Sequence, residues 1–135
     1  MDIRSLYYHE LEEHIKEQGL PRFRAGQIYQ WIHQKLVRTP DEMKNLPKEL
    51  RTWIAKDWVG VTEEARYVSK LDGTNKFLFR LQDDNLIESV WMPYRHGNSV
   101  CISSQVGCRM GCRFCASTID GVVRNLTASE MLDQV

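Results

Sequence analysis

The stretch Gly107-Cys108-Arg109-Met110-Gly111-Cys112-Arg113-Phe114-Cys115-Ala116 carries three cysteines at C-x3-C-x2-C spacing. Three thiolates this close in sequence can surround one inorganic centre and leave a fourth position unfilled. A structural metal site closes all four positions with protein, whereas a site that does chemistry keeps one open. Four-iron clusters are held by cysteine thiolates, in the ordinary case by four of them. The run therefore points to an iron–sulfur cluster with one iron free to bind a small molecule. Spacing alone leaves a second reading open, a zinc site of Cys108, Cys112 and Cys115 completed by His96 or Cys101.

The flanks of the run place it in a loop. A strand is predicted over Ser99 to Ser103, and Thr127-Ala128-Ser129-Glu130 is a capping box that opens a helix. Residues 104 to 126 show no regular element. Loops longer than roughly 12–15 residues inside a compact domain are usually functional. The cysteines thus follow the C-terminal end of a strand, where α/β barrels place their chemistry.

Upstream, alternation of apolar and polar residues predicts three strands, over Val68 to Leu71, Lys76 to Leu81 and Leu86 to Met92. Asp72-Gly73 and Asp83-Asp84-Asn85 read as the turns between them, and residues 93–98 as a linker. An antiparallel meander with one packed and one wetted face follows. A carboxylate inside such a strand, here Glu88, faces solvent by default, and a lone strand cysteine such as Cys101 is ordinarily buried.

The first sixty residues read as helical. Leu6, Leu11 and Ile15 recur at helical spacing behind Ser5 as N-cap, and Gly19-Leu20-Pro21 ends that helix. A second helix from about Phe23 carries Ile28, Trp31, Ile32 and Leu36 on one stripe. Thr39-Pro40-Asp41-Glu42 is a capping box that predicts a short helix. A further helix after Leu46-Pro47 buries Leu50, Trp53 and Ile54, and the tryptophans are expected in the core.

Composition sets outer bounds. The chain has 135 residues, 42% hydrophobic and 27% charged, with zero formal net charge and four cysteines. That length suits one domain, or one small domain and part of another. No apolar run reaches the length of a membrane span and no signal-peptide core follows Met1, so a cytoplasmic protein is expected. In a reducing compartment so few cysteines favour metal or redox chemistry over a disulfide scaffold. Zero net charge does not by itself point to nucleic acid.

More of the sequence carries a resemblance. It rests on Cys101-Ile102-Ser103-Ser104-Gln105-Val106-Gly107-Cys108, then Phe114-Cys115-Ala116-Ser117-Thr118, Gly121 and Arg124-Asn125-Leu126-Thr127. Phe23-Arg24-Ala25-Gly26-Gln27-Ile28 and Ile87-Glu88-Ser89-Val90-Trp91-Met92-Pro93 add to it. Together these resemble the RlmN/Cfr family of radical S-adenosylmethionine RNA adenine methyltransferases, most closely the branch that methylates adenine C2 in rRNA and tRNA; the C8 branch is the alternative.

The resemblance implies an α+β chain in three parts. These are a helical, helix-hairpin-helix-like accessory domain over 1–60, an antiparallel β extension and linker over 61–97, and the start of a partial (β/α)6 barrel over 98–135. It implies that Cys108, Cys112 and Cys115 hold a 4Fe–4S cluster whose free iron takes S-adenosylmethionine, with Phe114 shielding the cluster beside that cofactor. Glu88 is implied as the base that removes the proton from the methylated ring carbon. Cys101 is implied as the cysteine that resolves a covalent RNA–protein tether through a transient disulfide. The implied partners are 23S rRNA, tRNA and an external electron donor such as flavodoxin, with Arg22, Arg24 and Lys35 as RNA-binding candidates in a monomer that touches no membrane. The methyl-accepting cysteine and the main S-adenosylmethionine segment are expected beyond Val135, so these residues alone are not expected to complete the reaction. A non-catalytic RNA-binding module is the rival reading.

Overall fold

A computed structural model describes residues 2–135. The chain folds as two compact units, one up to Val59 and one from Gly60 to Val135. The first is helical; the second is built on antiparallel sheet.

In the first unit, α1 (Tyr8–Glu17), α2 (Phe23–His33) and α3 (Lys48–Lys56) each bury one stripe. Leu11 and Ile15 of α1, Ala25, Ile28 and Ile32 of α2, and Leu50 and Ile54 of α3 meet in one cluster with Met43 and Leu46. The stop after α1 is the expected one. Gly19 takes φ +69, its N–H donates to the Lys16 carbonyl at 2.9 Å, and the Leu20 N–H donates to Ile15 at 3.1 Å.

Four local expectations change. Ser5 does not cap α1; it closes a separate 3-10 turn, Ile3–Ser5, and Glu10 reaches back to the Tyr7 N–H at 2.7 Å instead. The α2 stripe stops before Leu36, which has φ +52 and is 72% exposed, because the chain turns there to bring Val37 into the core. The Thr39–Glu42 capping box forms, yet supports one 3-10 turn (Pro40–Glu42) and no helix. The tryptophans of this unit are half-buried at the rim of the cluster rather than at its centre. Two of them keep polar partners for their indole N–H groups, Trp58 donating to the Arg38 carbonyl at 3.0 Å and Trp31 to Asn45, and Trp53 stacks on His14.

The second unit holds a four-stranded antiparallel meander in the order β1 (Thr62–Val68), β2 (Asn75–Arg80), β3 (Leu86–Tyr94), β4 (Gly97–Cys101). The expected first strand, 68–71, is displaced: the strand ends at Val68, and residues 69–74 form the turn. Thr62-Glu63-Glu64-Ala65-Arg66-Tyr67-Val68 is an edge strand with almost no buried face, so no alternation marks it. The expected linker 93–98 is the end of β3 and a tight turn into β4, and β4 itself pairs with β3. One face of the meander is core: Phe79 and Ile87 pack with Leu81, Val106 and Leu126.

The stretch 104–126, expected to lack regular structure, contains a small second ladder. β5 (Gln105–Gly107) and β6 (Val122–Asn125) run antiparallel, and α4 (Ala128–Leu132) follows from the Thr127/Glu130 capping box. Strands of three and four residues, separated by a long excursion, are too short to show a period. No helix among the described residues is long and apolar enough to cross a membrane.

Candidate functional site

The three clustered cysteines lie on the excursion between β5 and β6, and backbone contacts close its base. Gly107 pairs with Val122, and the Cys108 N–H donates to the Gly121 carbonyl at 2.8 Å. Gly107 takes φ +73, and a Cβ placed on it would lie 2.0 Å from the Gly121 carbonyl oxygen. Only glycine lets the two stems approach this closely. Val106 and Leu126, buried beneath the meander, fix the stems to the core.

Inside the loop the Cys115 N–H donates to the Cys112 carbonyl at 3.2 Å. The Thr118 hydroxyl sits 3.0 Å from the Cys112 carbonyl and 2.9 Å from that of Cys115. Gly111, with φ +63, turns the chain between the first two cysteines. Cys108, Cys112 and Cys115 are half-buried and free, and the Met110 N–H points to Cys108 Sγ at 3.5 Å. Phe114 stands 94% exposed at the rim. Among the described residues no three His, Cys, Asp or Glu side chains converge as a metal-binding group. The donor set nevertheless fits a thiolate-held cluster. Three unpaired thiols share one loop, and one already receives the kind of N–H···S bond that tunes such clusters.

Glu88 and Cys101 share a face of the meander. Val90 is the register partner of Cys101, and Glu88 stands two residues before Val90, so all three project to the side opposite Ile87 and Ser89. Cys101 is exposed and free rather than buried, and Glu88 is half-exposed with Lys76 Nζ 2.7 Å from its Oε1. Val106 and Leu126, at the stems of the cysteine loop, pack on the other face of the sheet. The link between the two groups is the segment 102–104. The Ser103 hydroxyl donates to the Glu88 carbonyl at 2.7 Å. The Gln134 side-chain amide holds the Ser103 backbone from both sides, at 2.8 and 2.9 Å.

A second network braces β6. Arg124 donates to both oxygens of Glu130 at 2.8 Å and to Asp83 at 2.7 Å, joining β6 to α4 and to the turn before β3. Hydrogen bonding from Arg124 holds the Asp83 carboxyl down to about 2 and keeps Glu130 below the ordinary carboxylate range; the two carboxylates in turn raise Arg124. In the sequence Arg124 is marked only as part of a segment that carries the resemblance, with no role of its own, and Gln134 is not marked at all. The capping box marked Glu130, but a capping glutamate is ordinarily exposed, and its burial requires the Arg124 contact that only the fold reveals.

The RNA-binding candidates of the helical unit fare differently. Arg22 makes a two-bond ion pair with Glu12, at 2.8 and 3.0 Å, which commits its charge. Lys35 Nζ lies 3.5 Å from the centre of the Trp31 ring. Arg24 lies over the exposed Phe23 ring at 4.9 Å, a cation beside an open aromatic face.

Residues 1–59 match a family model described as the ribosomal RNA large subunit methyltransferase N-terminal domain, named RlmN_N. The chain is 58% identical, over its whole length, to a protein of Lachnoclostridium phytofermentans named probable dual-specificity RNA methyltransferase RlmN, and covers 38% of it. It is likewise 58% identical to a protein of that name from Lachnospira eligens, covering 39%. It superposes on the crystal structure of a radical SAM methyltransferase from Sphaerobacter thermophilus with a TM-score of 0.90 at 42% identity, covering 99% of this chain and 40% of that one. The chain therefore spans about two fifths of the length of the proteins it matches.

Proposed function

We propose that this chain, whose residues 1–59 match the RlmN N-terminal domain model, belongs to the RlmN/Cfr family and forms part of an enzyme that methylates adenosine C2 in 23S rRNA and tRNA. The observation that carries the reading is the clasped loop with three free thiols, which offers one cluster three protein ligands and leaves the fourth corner to a cofactor. Cys108, Cys112 and Cys115 would hold a 4Fe–4S cluster, and the exposed Phe114 between the last two of them would border the S-adenosylmethionine site. When bound, that pair supplies one-electron cleavage of the sulfonium and so a radical able to attack an inert C–H bond.

The chain's own residues take the steps around that chemistry. Glu88, on the open face of the meander, accepts the proton of the methylated ring carbon. Cys101, exposed on the same face, releases the tethered RNA: its thiolate attacks the sulfur of the methyl-carrying cysteine, the carbon–sulfur bond of the tether breaks as the disulfide forms, and the released carbon takes up a proton to become the methyl group. Adenine must leave its stack to be reached, which favours unpaired rRNA and tRNA loops. Arg24 with Phe23 is the best-suited phosphate and base contact of the helical unit, since Glu12 occupies Arg22. The electron arrives from an external donor of the flavodoxin kind, and the protein works as a cytoplasmic monomer.

In the whole protein, Glu88→Gln is expected to lower RNA methylation about a hundredfold, the low end for loss of a general base, with cluster content unchanged. Methylation assays on rRNA and tRNA transcripts, with iron analysis in parallel, check this. Undiminished methylation by Glu88→Gln would remove Glu88 from the reaction.

A further inference from the structure

Glu88 is not free on its face of the sheet. Lys76 Nζ lies 2.7 Å from Glu88 Oε1, and the strand register makes this a fixed diagonal pair: Lys76 faces Val90, and Leu78 faces Glu88. Leu78 and Val90 therefore complete the square of positions around the two charges. The other cation on this face, Arg80, is taken by Glu64 at 3.0 Å and Asp84 at 3.6 Å. Lys76 alone among the described residues makes an ion pair with Glu88. It occupies one carboxylate oxygen of Glu88, which shares this face of the sheet with Cys101.

We propose that Lys76 is a positioning residue for Glu88, clamping one carboxylate oxygen so that the other meets the proton of the substrate ring. The proposal rests on the reading of Glu88 as the base. A clamp of this kind acts through geometry, because proton transfer requires the acceptor within hydrogen-bond reach of the carbon-bound proton. Small misplacements of a reacting group are costly: about 1 Å can lower a rate on the order of a hundredfold. As an ion pair the contact contributes little to folding, since both side chains are about half exposed, 48% and 53%.

The test is a double-mutant cycle in the whole protein, with Lys76→Met, Lys76→Arg, Glu88→Gln and the Lys76→Met/Glu88→Gln double variant. Lys76→Met is expected to lower kcat roughly tenfold with KM for RNA unchanged, and to accumulate the covalent protein–RNA adduct seen as a retarded band on a denaturing gel. Lys76→Arg should recover most of the rate. The double variant should be no slower than Glu88→Gln alone. A raised KM with additive losses would mean that Lys76 binds RNA phosphate, and would overturn the proposal, as would wild-type kcat in Lys76→Met beside an inactive Glu88→Gln. Undiminished activity in Glu88→Gln would instead overturn the underlying reading of the base. Thermal unfolding of Lys76→Met should stay near wild type, and the gel-resolved adduct distinguishes a stalled reaction from a misfolded protein.

Discussion

Gly107→Ala is expected to open the base of the cysteine loop at a cost of roughly 2–5 kcal/mol. Two physical contributions add up. The left-handed backbone conformation, φ +73, costs a residue with a Cβ about 1–2 kcal/mol. Overpacking against fixed neighbours costs about 1–3 kcal/mol more. The new methyl would lie 2.0 Å from the Gly121 carbonyl oxygen, the acceptor of the Cys108 N–H, and that oxygen cannot retreat without breaking the bond that closes the loop. Gly111→Ala is the matched control. It shares a positive φ, +63, but meets nothing within 4 Å, so only the conformational cost of about 1–2 kcal/mol remains. Denaturant unfolding and hydrogen exchange at the Cys108 amide measure both. Equal effects of the two substitutions would contradict the close approach of the stems.

Arg124→Ala is expected to destabilise the second unit by about 3 kcal/mol, because it strands the Glu130 carboxylate, only 4% exposed, without its counter-ion. The pH dependence has a definite sign. Asp83 and Glu130 both have lowered folded-state pKa values, so their contribution is complete above the ordinary carboxylate range and is lost as pH falls. For Asp83 the loss runs from about 3.8 down to about 2. The stability difference between wild type and Arg124→Ala should therefore be constant near neutrality and shrink across that acid window. Urea titrations at stepped pH check it; a difference that grew on acidification would refute the ion-pair account.

The legible and illegible parts of the fold divide along a physical line. The cysteine run, the Gly19 stop, the capping boxes at Thr39 and Thr127 and the core stripes of α1, α2 and α3 are local patterns, and each appears in the structure, the stripes without Leu36 and with Trp31 and Trp53 only half-buried. Strand β1 escaped because an edge strand with charged residues on both faces carries no hydrophobic period. The β5–β6 ladder escaped because its stability comes from Val106 and Leu126 docking on Phe79 and Ile87, contacts that only tertiary structure creates. The site follows the same division. Cys108, Cys112 and Cys115 sit on one loop and Glu88 and Cys101 on one sheet face, but Lys76, Arg124 and Gln134, which brace these elements, are brought there by register and packing rather than by sequence.

The most direct measurement is anaerobic reconstitution of the whole protein with ferrous iron and sulfide, alongside Cys108→Ala, Cys112→Ala and Cys115→Ala. The account predicts about four irons per chain, the content of one four-iron cluster. It also predicts a broad visible absorption that changes when S-adenosylmethionine is added, and loss of both in each cysteine variant. Stoichiometric zinc in place of iron, or a cluster that survives removal of any one of these thiols, would contradict it.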